Sequence, residues 1–257
     1  MKTHTPEQPK EPAPLSILLI GPPGGGKTTL ALQFPGVAIM NCDNNLDGPL
    51  RFLRLVKREP RFKYSSMRMD DTGKPVAVED ALDRLMDELL AIKEDPEIKT
   101  VVVDSLTHVN EFIIRKVLGM QNKAAGAPME MRDWIPFKSR TYALLVARLQ
   151  GLGKHTICTC HERILTETDP KQGMKERVLG YQPAFQGGVT DYFGGFFTDM
   201  WHCASTPAPG GRNQFMVYSA KTALRDLKNS LNMPTELDVS SGFQVIGKYM
   251  TNAGYKL

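Results

Sequence analysis

The sequence predicts an α/β fold, with a mostly parallel central sheet flanked by helices and a protruding β-hairpin. Three observations predict it. Short apolar, β-rich runs recur along the chain, amphipathic stretches of helical period separate them, and a glycine-rich turn joins the first run to a helical stretch. Strands that alternate with helices are returned parallel to one another, and the helices then cover both faces of the sheet.

The 257 residues, 41% of them hydrophobic, suffice for one full core. Residues 1–14 hold four prolines and no periodicity, which predicts a disordered leader, and the core is expected over 15–240 with a C-terminal tail at 241–257. Strands are expected at "SILLI" (16–20), "GVAIMNC" (36–42), "KTVVVD" (99–104), "HTICTC" (155–160), "DMWHCA" (199–204) and "FMVYSA" (215–220). The clearest helix is 78–94, where Leu82, Leu85, Met86, Leu89 and Leu90 recur at spacings of three and four. Two more are expected, over 106–118 and over 137–149, the latter stopped by "GLG". Between them, 119–133 has small residues and no period and is expected to be a mobile loop. Residues 162–183 read as two β-rich arms around the turn "DPKQG", the protruding hairpin.

The net charge of +4 is too small to establish a polyanionic partner by itself. No run of about 18 apolar residues occurs and the start lacks an apolar h-region, so a cytoplasmic protein with no membrane span is expected. The four cysteines are few, three lie in apolar stretches and no C-x-x-C pair exists, which points to reduced core thiols rather than disulfides or zinc.

"GPPGGGKTTL" (21–30) is where chemistry begins. Gly21, Pro22, Pro23, Gly24, Gly25, Gly26, Lys27 and Thr28, with Thr29 following, fit G-x-x-x-x-G-K-[ST] between a strand and a helix, the context of a phosphate-binding P-loop. Glycines let consecutive N–H groups face the phosphates, and the following helix adds its positive end. Lys27, expected as a partly exposed loop lysine, reaches the outer phosphates, and Thr28 can ligand Mg²⁺. The ligand expected is therefore ATP with Mg²⁺. Asp104 ends "TVVVD", a run expected to lie beside the first strand, and is the acid for the metal. Ser105 follows it rather than a second acid, so a carboxylate that orients water must come from elsewhere. Asp43 is the candidate, at the end of the second strand, with a solvated turn acid as the alternative. His161, ending "TCH", is either a γ-phosphate sensor or a structural histidine.

"GPPGGGKTT", the acid after strand two, "VVVDS", "ICTCH" and "RDW" before the third helix together resemble the RecA-like core. The similarity is greatest to the phage family of short RecA-like ATPases that act as single-strand annealing proteins, in order of elements over residues 15–235. The resemblance implies a DNA-stimulated ATPase that works on single-stranded DNA, as a homo-oligomer (ring or filament) and alongside a single-strand DNA-binding protein. By position, Lys27, Thr28 and Asp104 match the nucleotide and metal residues, Asp43 the catalytic acid, where the recombinases usually carry Glu, and His161 the polar sensor.

The two loops that meet DNA in such proteins fall on 119–133, with Lys123 and Arg132, and on 162–190, with Arg163, Lys171, Lys175, Arg177, Tyr181 and Phe185. Basic side chains can neutralise phosphates while an aromatic ring stacks on a base. Glu162, Glu167, Asp169 and Glu176 dilute that charge, so an ordinary solvated hairpin remains the alternative. Lys221, Arg225 and Lys228 at spacings of four and three either share a solvated helical face, or Lys221 and Arg225 act in trans on a neighbour's γ-phosphate. Two other functions fit the P-loop: an ATP-dependent switch or helicase loader without annealing activity, and a small-molecule kinase, for which no arginine-rich lid is found.

Overall fold

The computed structural model describes residues 12–124, 126–169, 175–185, 193–208, 210 and 213–256. Among the described residues nine strands form the sheet: β1 (Ser16–Gly21), β2 (Val37–Asn41), β3 (Phe62–Ser66), β4 (Thr100–Asp104), β5 (His155–Asp169), β6 (Lys175–Pro183), β7 (Asp199–Pro207), β8 (Asn213–Tyr218) and β9 (Glu236–Asp238). Their order is β3-β2-β4-β5-β1-β7-β8-β9, with β6 paired to the far half of β5. All pairs from β3 to β7 are parallel, and β5–β6, β7–β8 and β8–β9 are antiparallel. The α/β fold with a mostly parallel sheet flanked by helices is thus as expected.

Alternation along the strands builds two cores. Leu18 and Ile20 of β1 and Val101 and Val103 of β4 face one helical layer, whereas Ile17, Leu19 and Val102 face the other. The first layer is α3 (Val78–Lys93), α4 (Leu106–Met120) and a composite helix made of α5 (Trp134–Arg140), a π turn (Thr141–Val146) and α6 (Ala147–Gln150). The second is α1 (Lys27–Ala31), α2 (Asp47–Leu55) and α7 (Gln244–Asn252), the last lying within 241–257 and burying Ile246 and Met250. Each fully buried Leu, Val or Ile in these layers contributes about 1.5–3 kcal/mol.

Several expectations change. The Asp104 strand, β4, does not lie beside β1, because β5 is inserted between them and pairs with both. In α3, Leu82, Leu85, Met86 and Leu89 are buried, but Leu90 is 51% exposed, since its position falls past the edge of the apolar stripe. The third helix starts at Trp134 rather than 137. The segment after β8 forms no helix: the Thr222 hydroxyl accepts the N–H of Arg225 at 3.1 Å, Asn229 Oδ1 accepts that of Met233 at 3.0 Å, and Ser230 donates its hydroxyl to Asp199. Such side-chain bonds compete with helical ones, so Lys221, Arg225 and Lys228 share no helical face.

The hairpin is present as β5 and β6, with β5 running without a break from the core into the arm. Its turn, residues 170–174 with Lys171, lies outside the described residues, as do residues 1–11 of the expected leader.

Candidate nucleotide-binding site

The cradle forms where β1 gives way to the glycine-rich loop. A Cβ on Gly21 would overlap the carbonyl oxygen of Cys203 on β7, and Gly26 (φ +87°) occupies a left-handed conformation with the Phe215 ring where a side chain would start. The loop is therefore pressed against β7 and β8. The helix that follows the loop, α1, has only five residues, so its own dipole is small.

Lys27 is 7% exposed rather than partly exposed, because its stem runs under the loop it follows. Its Nζ donates to the carbonyls of Gly21 and Pro22 at 2.8 Å each, which leaves one of an ammonium's three donors for a ligand. Burial lowers its pKa, opposed by Cys203 and Asp104.

Asp104 is 3% exposed at the end of β4. Thr28 on α1 donates its hydroxyl to Oδ2 at 2.8 Å, and Thr159 on β5 donates to Oδ1. Burial raises the carboxyl pKa; the hydroxyl of Thr159 is the largest opposing influence. A buried carboxylate bridged to a hydroxyl of the phosphate loop is a hard oxygen donor set, and it fits Mg²⁺, which takes one or two protein oxygens and completes its shell from phosphates and water. Among the described residues no group of three His, Cys, Asp or Glu side chains could hold a metal. Thr159, which bridges β5 to Asp104, is the functional residue the sequence reading missed; its signal is a lone threonine between two buried cysteines in "ICTC".

Asp43 follows β2, two residues past Asn41, which pairs in register with Asp104. Its Oδ1 accepts the Asn45 N–H at 3.0 Å. His161 pairs in register with Gly21, donates its backbone N–H to the Thr107 hydroxyl at 3.0 Å, and keeps a buried Nδ1 with no hydrogen-bond partner among the described residues. Burial, then Lys27 and His108, lower its pKa. The His108 ring stands 6.2 Å away and accepts or donates at Nδ1 with Ser105 Oγ at 2.9 Å.

These groups line one cavity of about 320 Å³ that contains the loop from Pro23 to Thr29, Asp43, Asp104, Thr159 and His161. Its other end is apolar: Pro49 and Phe52 of α2 and Phe215 of β8, with the two rings edge to face at 5.1 Å. The cavity can thus take a polyanion at one end and a flat ring at the other.

The remaining predicted residues lie elsewhere. Lys123 is 13% exposed and paired with Asp133 at 2.7 Å and Glu130 at 3.2 Å, and Arg132 pairs with Glu130 at 3.0 Å. On the hairpin, Arg163 and Arg177 are exposed, Arg177 stands opposite Glu167, and Lys175 is opposite Asp169. Lys221 pairs with Asp226 at 2.8 Å. The Arg225 guanidinium lies between the rings of Tyr181 (4.8 Å) and Tyr218 (4.7 Å). Phe185 is buried against Phe193, so its ring packs the core instead of standing free to stack on a base.

A family profile described as "AAA domain" matches residues 13–198. No curated protein matches the chain. Among solved structures, flagellar accessory protein FlaH from Methanocaldococcus jannaschii is similar at 13% identity and TM-score 0.39, over 89% of this chain and 85% of that one. A prototypical ATPase from the type III secretion system of pathogenic bacteria is similar at 14% identity and TM-score 0.42, over 74% of this chain. The alignment covers 52% of that ATPase, about half its length.

Proposed function

The chain belongs to the AAA domain family, and from that premise we propose that it is an ATPase whose nucleotide state governs a β-hairpin acting on single-stranded DNA, in phage recombination or strand annealing. The observation that carries this reading is β5. One uninterrupted strand holds Thr159 against the Asp104 carboxylate, brings His161 beside the phosphate loop, and continues as the exposed arm that bears Arg163. A change at the phosphate end is therefore applied directly to the arm.

In this mechanism the loop N–H groups and Lys27 bind the β- and γ-phosphates, and Thr28 with Asp104 hold Mg²⁺. When bound, Mg²⁺ neutralises charge on the phosphate oxygens. Asp43 orients the attacking water and accepts its proton, using the oxygen that Asn45 does not engage. His161, kept uncharged by burial and by Lys27, hydrogen-bonds the γ-phosphate and reports its presence to the arm. The ring end of the cavity takes the nucleobase. Assembly as a ring or filament on the strand, beside a single-strand DNA-binding protein, belongs to the same proposal and rests on the motif resemblance.

The test is ATP turnover measured without DNA, with single-stranded DNA, and with a panel of nucleoside monophosphates. Stimulation by the single strand supports the reading. Stimulation by a monophosphate, with that nucleotide phosphorylated, makes the protein a kinase, and nucleotide binding without turnover makes it a switch or loader.

A further inference from the structure

Arg68 stands just past β3 and reaches two other elements. Its Nε donates to the Cys42 carbonyl at 2.7 Å, its Nη2 donates to Glu111 Oε2 on α4 at 3.1 Å, and its guanidinium carbon lies 5.4 Å from the centre of the Phe112 ring. Cys42 is the residue before Asp43, so the peptide that carries the carboxylate is gripped at its carbonyl.

The same loop is held from its other side. Asn44 has φ 59°, a left-handed conformation that a non-glycine residue keeps only where its surroundings hold it. Its N–H donates to Asn41 Oδ1 at 3.0 Å, and its Oδ1 accepts the Ser66 hydroxyl at 2.8 Å. That hydroxyl also accepts the N–H groups of Arg68 and Met69, at 3.2 and 3.0 Å, so the Asn44 brace and the Arg68 grip share one anchor. The Arg68–Glu111 pair is partly exposed, at 30% and 41%, and in that setting its charge contributes little to stability. What the arrangement provides is direction. A planar guanidinium can bond a carbonyl, bond a carboxylate and lie over a ring at once, whereas a lysine ammonium cannot.

We propose that Arg68 is a positioning residue for Asp43: by fixing the Cys42 carbonyl it sets the direction in which the Asp43 carboxylate enters the nucleotide cavity. This rests on the reading of Asp43 as the acid that orients water. Displacing a reacting group by about an ångström costs up to about a hundredfold in rate. Arg68 is not one of the residues that line the nucleotide cavity, so its loss should act on turnover more than on nucleotide binding.

The experiment compares Arg68→Ala, Arg68→Lys and Asp43→Asn in the full chain for kcat, KM, ATP affinity by calorimetry and thermal melting. The expected result is a kcat lowered about 10- to 100-fold in both Arg68 variants, with ATP affinity within about twofold of the parent. Guanidinium ion at non-denaturing concentration should restore part of the turnover of Arg68→Ala, but none of that of Asp43→Asn. Should the alanine variant melt before assay, the lysine variant, which keeps bulk and charge, decides. If either Arg68 variant turns over ATP within twofold of the parent while Asp43→Asn does not, the positioning role is overturned and the acid stands. If Asp43→Asn itself turns over normally, the acid reading falls and the role of Arg68 with it.

Discussion

Glu162 and His202 meet at 2.6 Å, Oε2 to Nε2, with side chains only 11% and 4% exposed. The pair ties the base of the hairpin to β7, one residue from the Cys203 carbonyl that presses on the phosphate loop. Burial lowers the His202 pKa below the ordinary 6.5, and the Glu162 hydrogen bond opposes that. The sign follows from proton binding. With the folded pKa depressed, the unfolded chain takes up the proton first as pH falls, so stability is complete above 6.5 and declines through the window down to the depressed value. His108, His155 and His161 are shifted the same way and add to the slope. His202→Asn should therefore flatten part of the acid loss, and Glu162→Gln should steepen it. Urea denaturation between about pH 5 and 8 reads both, and an unchanged slope in His202→Asn would exclude this histidine as a contributor.

Lys27→Ala should weaken ATP binding about 10- to 100-fold, the worth of a charge-assisted hydrogen bond to phosphate. The fold should survive, because the variant also removes an ammonium that burial disfavours. Calorimetry with ATP and a thermal melt without it check the two halves, and undiminished ATP affinity would remove the loop from the reading.

Asp104→Asn should separate metal binding from stability. Burial holds the Asp104 carboxyl above its usual 3.8, so the charged form is disfavoured in the folded protein and stability is lost as pH rises through that window. An amide of the same shape escapes this penalty and still bonds the Thr28 and Thr159 hydroxyls. The ligand-free variant should melt no lower than the parent at pH 7, while the Mg²⁺-dependent part of its ATP affinity disappears. A lower melting temperature with intact Mg²⁺ dependence would make Asp104 a structural acid.

The phosphate loop was fully legible because its residues are contiguous and each has a local reason. Asp104 and Asp43 were legible as acids at strand ends, since a parallel sheet gathers those ends at one edge, whereas His161, read as ending its strand, lies inside β5, which runs on to Asp169. Strand order was not, because nothing in "TVVVD" or "HTICTC" says which lies beside β1; the insertion of β5 is what brings Thr159 to Asp104. Arg68 was hidden for a related reason: β3 reads "FKYSS", too short and polar to stand out, so the cation that follows it had no place in the map. Over 219–234, cation spacing suggested a helical face, but the threonine, asparagine and serine side chains settled the backbone otherwise.

The aromatic end of the cavity predicts a split between nucleotide and bare polyphosphate. Replacing Phe52 or Phe215 by Leu keeps apolar bulk but removes a stacking face, whose worth to a base is about 1–3 kcal/mol. ATP affinity should fall about 5- to 150-fold, while inorganic tripolyphosphate, which has no base, should bind as before. Equal losses for both ligands would mean that the substitutions deform the phosphate loop, which Phe215 touches at Gly26.

The hairpin can be tested through salt, because a cation that neutralises a DNA phosphate releases counterions and an idle surface cation does not. For single strands the slope of log K against log salt is about 0.7 per contact. Arg163, Lys175 and Arg177 all sit on the arm, yet Arg177 stands opposite Glu167, so it must choose between a cross-strand acid and a phosphate. An exposed cross-strand pair is worth only about 0.2–1 kcal/mol, less than the counterion release that one phosphate contact yields at low salt. The phosphate should win. Replacing all three by Gln should lower the slope by about two, since three contacts at about 0.7 each are lost. Replacing Lys221, which is exposed and paired with Asp226 outside the two hairpin strands, is a control that removes one charge and should lower the slope by clearly less than the roughly 0.7 of one contact. A slope that falls equally per charge removed in both would show general attraction to a basic surface, and one that does not fall in the triple variant would make the hairpin a solvated arm with some other task.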